Sequence, residues 1–138
     1  MTVARLGKSS MDFNAYQERA NKTAIYPEEY KLTYPTLGLA GEAGEVAEKV
    51  KKIVRDGKDI KKEAHEIAKE LGDVLWYVAA VARDINYSLQ VIAAMNIQKL
   101  ESRKERGVLQ GNGDNRWVAI TYQLTTKHSL LLADMHGG

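Results

Sequence analysis

The sequence contains no cysteine. That excludes disulfides, thiolate metal ligands, iron–sulfur clusters and a thiol nucleophile. It also accords with a reducing compartment. Histidine is scarce, and His65, His128 and His136 have no metal-ligand spacing. Proline occurs only as Pro27 and Pro35, both in one short zone. Net charge is nearly absent: 20 Lys and Arg against 18 Asp and Glu leave +2, which argues against a dedicated polyanion binder. No apolar run approaches the ~18 residues of a membrane span. Arg5 and Lys8 have no apolar stretch behind them, so no signal peptide is visible. With 138 residues, the expectation is one cytoplasmic domain whose core needs no staples.

What is present reads as helix. The first helix is expected from about Met11 to Ala24, with Ser10 as N-cap and Phe13, Tyr16 and Ala20 on its inner face. Residues 25–35 hold both prolines and read as a connector. A second helix is expected from Thr36 to Arg55, with Gly57 ending it. A third runs from Ile60 to Ile85, with Asn86 stopping it in a left-handed conformation. Ser88 then caps a fourth, from Leu89 to Arg106. The fold class is therefore all-α, a four-helix bundle. Residues 117–138 show no clean period and are expected as an irregular tail, with a short strand permitted over 118–124.

Familiar motifs fail on inspection. Gly7-Lys8-Ser9 lacks the upstream glycine of a phosphate-binding loop, since position 2 is Thr. His65-Glu66 lacks its second histidine, because Lys69 stands there. Gly38, Gly41 and Gly44 follow no strand and do not match the dinucleotide fingerprint.

One internal match survives. EAGEVAEKVKKIV, residues 42–54, aligns with ELGDVLWYVAAVA, residues 70–82. Glu42 and Glu45 thus correspond to Glu70 and Asp73, and Gly44 to Gly72. At 100° per residue both helices carry two carboxylates at the same edge of an apolar stripe. Antiparallel packing of the stripes brings four carboxylates to one rim. Clustered carboxylates repel unless a cation sits among them. Oxygen-only donors without histidine favour Mg²⁺, with Mn²⁺ as the alternative. The matched glycines, each costing about 1 kcal/mol in a helix, imply close backbone approach or substrate access. The competing reading is a solvated face, with Glu45–Lys49, Glu48–Lys52 and Lys69–Asp73 pairs at helical spacing.

GLAGEAGEVAEKVKK followed by KELGDVLWYVAAVARDIN resembles the MazG-like all-α nucleoside triphosphate pyrophosphohydrolases. The resemblance covers about residues 13–116, taken as the domain 1–116, and leaves 117–138 outside the pattern. It implies cleavage between the α and β phosphates, giving a monophosphate and pyrophosphate. It implies that Glu42, Glu45, Glu70 and Asp73 hold Mg²⁺, with Glu45 orienting the attacking water. It implies that Asn96, Lys99 and Arg103 face the triphosphate, and that the chain forms a homodimer or homotetramer. A connector aromatic, Tyr26, Tyr30 or Tyr34, is expected to stack on the base. Trp76 lies almost opposite the apolar stripe and is assigned to a subunit interface.

Two other classes are kept open. A non-catalytic helical module would bind nucleotide or a partner without turnover. A nucleic-acid binder would use Lys49–Lys62, where seven Lys or Arg face Asp56 and Asp59. Such runs are usually solvated helix ends, and no nucleic-acid or membrane partner is expected.

Overall fold

Asp12, not Ser10, starts the first helix. In the computed structural model, which describes residues 10–107, α1 spans Phe13–Asn21. The Asp12 backbone is extended, so its carboxylate reaches back to accept the Ala15 N–H at 2.7 Å. α1 ends earlier than the spacing predicts. The Thr23 N–H and hydroxyl both donate to the Ala20 carbonyl, at 3.0 and 2.7 Å, and close a turn there.

The connector contains a 3-10 turn, Glu28–Tyr30. α2 then runs Thr33–Asp56, three residues earlier than expected. Pro35 falls within its first turn, where its missing N–H has no helical acceptor to lose. Gly57 ends α2 in the left-handed conformation at φ 60°, ψ 32°, as its position predicts. α3 spans Ile60–Asp84, capped by Asp59 through the Lys61 N–H at 2.9 Å. Asn86 follows at φ 60°. α4 spans Leu89–Glu105. Ser88 Oγ accepts the Val91 N–H at 3.4 Å.

The fold is all-α, with no strand among the described residues. The tail 117–138 and the permitted strand at 118–124 lie outside the described residues. The described residues divide into two units after Ala94, within α4. The first unit holds α1, α2, α3 and the start of α4; the second holds the rest of α4.

Within the first unit α3 packs on both α1 and α2. Gln17 joins α1 to the α3–α4 turn. Its side-chain amide donates to the carbonyls of Ala79 and Tyr87 at 3.4 and 3.0 Å, and its oxygen accepts the Leu89 N–H at 2.9 Å. A buried polar side chain is stable only when satisfied in this way. Phe13, expected inside, is instead exposed. The buried hydrophobic set is small: Ile53, Ala79, Ala80, Ala82 and Leu89. The α3 alanines let α1 and α2 approach closely, but they bury little area each.

Candidate functional site

α2 and α3 run antiparallel, and one register organises their facing residues. Gly38 meets Tyr77, Glu42 lies against Asp73, and Lys49 reaches Glu66 and Glu70. Glu42, Glu70 and Asp73 each offer an oxygen, and the three lie within 4.8 Å of one another. The structure therefore brings three of the four motif carboxylates together. Glu42 and Glu70 are half-buried and Asp73 is exposed. Glu45 is exposed, one turn beyond Glu42. Its charge still acts at Glu42.

Burial raises the Glu42 pKa above the ordinary carboxylate value, and the charges of Asp73, Glu70 and Glu45 raise it further. A site of three hard oxygen donors within 4.8 Å of one another fits a divalent cation of the Mg²⁺ or Mn²⁺ type. Lys49 offsets part of this charge, 3.3 Å from Glu70 and 3.8 Å from Glu66. The competing solvated-face reading pairs Lys49 with Glu45 and Lys69 with Asp73. Lys49 instead crosses to α3, and Lys69 pairs with Glu66 at 2.8 Å. The expected Glu48–Lys52 pair is present at 3.4 Å.

Aromatic side chains border the carboxylates. Tyr77 stands one turn beyond Asp73, and Gly38 one turn before Glu42. A Cβ on Gly38 would overlap the Tyr77 ring, so only glycine leaves room for it. Burial raises the Tyr77 pKa, and contact with Tyr34 and the charges of Glu42 and Asp73 add to the shift. Tyr34 tilts against Tyr77 with centroids 6.5 Å apart, and stacks on Tyr26 at 5.2 Å. From α1, Tyr16 also faces the site: burial and the Asp73 charge raise its pKa. Tyr30, the third connector tyrosine, is exposed.

Of the two readings of the matched glycines, close backbone approach is not met. A Cβ at Gly44 or Gly72 would meet nothing within 4 Å. Close helix packing is thus not their purpose. Trp76 does not point away from the protein. Its indole N–H donates to Thr23 Oγ1 at 2.7 Å, and its ring meets Tyr77 edge-on at 4.9 Å. The 100° count placed it opposite the α2-facing stripe, which is the side that α1 and its following turn cover.

Asn96, Lys99 and Arg103 lie on α4 in the second unit, three and four residues apart and so on one helix face. Lys99 and Arg103 are half-buried. The basic stretch on α2 and its following loop is largely paired. Lys49, Lys51, Lys52, Arg55 and Lys58 all face carboxylates.

Sequence reasoning missed Gly38, Tyr77, Lys49 and Tyr16. The signal for the first three was available: each lies on the line through the motif carboxylates, one or two turns from Glu42 or Asp73. Tyr16 approaches from a separate helix, and no spacing reveals it.

The profile of the MazG nucleotide pyrophosphohydrolase domain matches residues 32–108, which include α2, α3, α4 and all four motif carboxylates. The Gene 37 protein of Mycobacterium phage L5 is 47% identical over 114 residues, covering 77% of this chain and 100% of that protein. Its name states no activity. No solved structure is significantly similar to the chain. Carboxylates at the matched register on an antiparallel helix pair, together with these similarities, establish that the chain belongs to the MazG nucleotide pyrophosphohydrolase family.

Proposed function

We propose that the protein hydrolyses a nucleoside triphosphate between its α and β phosphates, releasing a nucleoside monophosphate and pyrophosphate with Mg²⁺ or Mn²⁺. The observation that carries this reading is the convergence of Glu42, Glu70 and Asp73 within 4.8 Å, inside the segment that matches the family.

These three carboxylates hold the metal, with Glu45 as a fourth ligand from the exposed side of α2. The bound cation supplies charge neutralisation at phosphate oxygens and lowers the pKa of a coordinated water. Glu45 orients the attacking water and accepts its proton. Lys49 keeps Glu70 in place before metal arrives. The family resemblance assigns phosphate binding to Asn96, Lys99 and Arg103 of α4. Tyr34, exposed and backed by the Tyr26 ring stacked on it, offers the aromatic surface on which a base stacks. This substrate class assigns the activity to the cytoplasm.

The active form is a homo-oligomer, dimer or tetramer. On α2, Leu37, Ala40, Gly44, Ala47 and Val54 fall on one helical stripe, interrupted by Lys51, and all are exposed. Leu37 is 69% exposed and Val54 77%, a large apolar exposure on one helix face. A second copy covers this stripe. No nucleic-acid or membrane role is proposed. The basic stretch is largely paired internally, and no helix among the described residues is long and apolar enough to cross a membrane.

The test is incubation with Mg²⁺ and a panel of nucleoside triphosphates, deoxy and oxidised forms included. Pyrophosphate release that is lost in Glu42→Gln and Asp73→Asn supports the proposal. Phosphate release without pyrophosphate, or no turnover across the panel, overturns it.

A further inference from the structure

The connector before α2 contains a conformation that leucine rarely adopts. Leu32 sits at φ 62°, ψ −48°. The Thr33 N–H donates to the Lys31 carbonyl at 2.7 Å. Together these define a γ-turn of the rare, strained form. Such a backbone persists only where its surroundings over-determine it.

Asp84, the last residue of α3, does that. Its Oδ2 accepts the Leu32 N–H at 2.8 Å and the Tyr26 hydroxyl at 2.8 Å. Its Oδ1 accepts from Arg83 Nε and Nη2 at 3.0 and 2.9 Å. The Asp84 side chain has no solvent exposure. Arg83 also donates to the Tyr26 hydroxyl, and its guanidinium stands 5.1 Å over the Tyr26 ring. One buried carboxylate therefore ties both ends of the connector, residues 26 and 32, to α3. The tied segment carries Tyr26 and leads directly into Tyr34. Tyr34 in turn touches Tyr77, one turn from Asp73.

We infer that Asp84 is a positioning residue for base recognition: by holding the Leu32 turn and the Tyr26 hydroxyl, it fixes Tyr26 as the backing on which the exposed Tyr34 ring rests, so that Tyr34 presents one fixed face to the nucleobase beside the carboxylate cluster. Asp84 does not touch substrate. Its contribution is to keep two mobile rings in one geometry, so that one base shape stacks better than another. This inference rests on the nucleotide reading given above.

The experiment compares full-length wild type, Asp84→Asn and Tyr26→Phe. Tyr26→Phe removes one bond to Asp84 from a half-buried ring, and it serves where Asp84→Asn fails to fold. Hydrogen exchange over residues 26–36 is expected to quicken about tenfold or more in Asp84→Asn, and by less in Tyr26→Phe. KM for base-bearing triphosphates is expected to rise about tenfold, with kcat within about twofold and the spread between bases narrowed. KM for ribose triphosphate, which has no base, is expected to stay unchanged. Unchanged exchange at residues 26–36, or an equal loss on ribose triphosphate, overturns the inference. If wild type hydrolyses nothing, binding of α,β-methylene triphosphates reports instead. Base discrimination that Asp84→Asn loses then supports the inference while the hydrolase reading falls. Discrimination that Asp84→Asn retains, or no binding by wild type, overturns the inference too.

Discussion

The Tyr77 ring occupies the space where Gly38 would carry a Cβ, one helical turn from the pair Glu42 and Asp73. This contact sets how closely α2 and α3 approach at the carboxylates. It also places the Tyr77 phenol between Tyr34 and the cluster. Gly38→Ala gains about 1 kcal/mol of helix propensity but forces the ring aside at about 1–3 kcal/mol. The expected net is a loss of about 0–2 kcal/mol, with KM raised several-fold because the aromatic wall shifts. Denaturant unfolding and steady-state kinetics check this. Unaltered kinetics in a folded Gly38→Ala protein contradict it.

Glu42 links stability to metal. Burial and three neighbouring carboxylates raise its pKa above 4.5. A raised carboxylate contributes stability below its unfolded pKa and loses it as pH rises through the folded value. At pH 7 the ionised Glu42 thus weakens the metal-free protein. Glu42→Gln is expected to raise the melting temperature without metal and to abolish the rise that Mg²⁺ or Mn²⁺ gives wild type. In wild type that metal-induced rise fades as pH falls into the titration range of Glu42. An equal metal response in wild type and variant contradicts the assignment.

Lys49 competes with a cation for Glu70. The pair is half-shielded, with side chains 33% and 16% exposed at 3.3 Å, so its net worth is up to about 1 kcal/mol. Lys49→Gln is expected to lower metal-free stability slightly and to tighten Mg²⁺ binding by about two- to fivefold, within that energy. Isothermal titration calorimetry measures both directions of the exchange. Unchanged or weaker Mg²⁺ binding in the variant contradicts this competition.

Val54 tests the assembly. It is 77% exposed, so glutamate there leaves the single chain intact. Sedimentation of wild type is expected to give a dimer or tetramer, and Val54→Glu a smaller species. The same assembly in both proteins contradicts the α2 stripe as interface.

Much of this architecture was legible in sequence, and the exceptions have physical causes. Gly57 and Asn86 announce their helix ends, because few residues accept positive φ there. The repeated acidic motif announced two helices with carboxylates in one register. Pro35 misled the start of α2, since proline reads as a breaker yet fits a first turn. The exposure of Val54 was not legible, because an apolar period does not say whether another helix covers a residue. Trp76 misled the interface, because a helix flanked on two sides has no single outside. Asp84 was invisible for another reason: its partners, Tyr26 and Leu32, lie more than fifty positions away, and no local pattern encodes them.

The central claim is cleavage between the α and β phosphates at the Glu42–Glu70–Asp73 site. Phosphorus NMR of the products from an accepted triphosphate and Mg²⁺ tests it most directly. The account predicts nucleoside monophosphate and pyrophosphate in equal amounts, with neither formed by Asp73→Asn. Nucleoside diphosphate with inorganic phosphate, or products undiminished in Asp73→Asn, would contradict it.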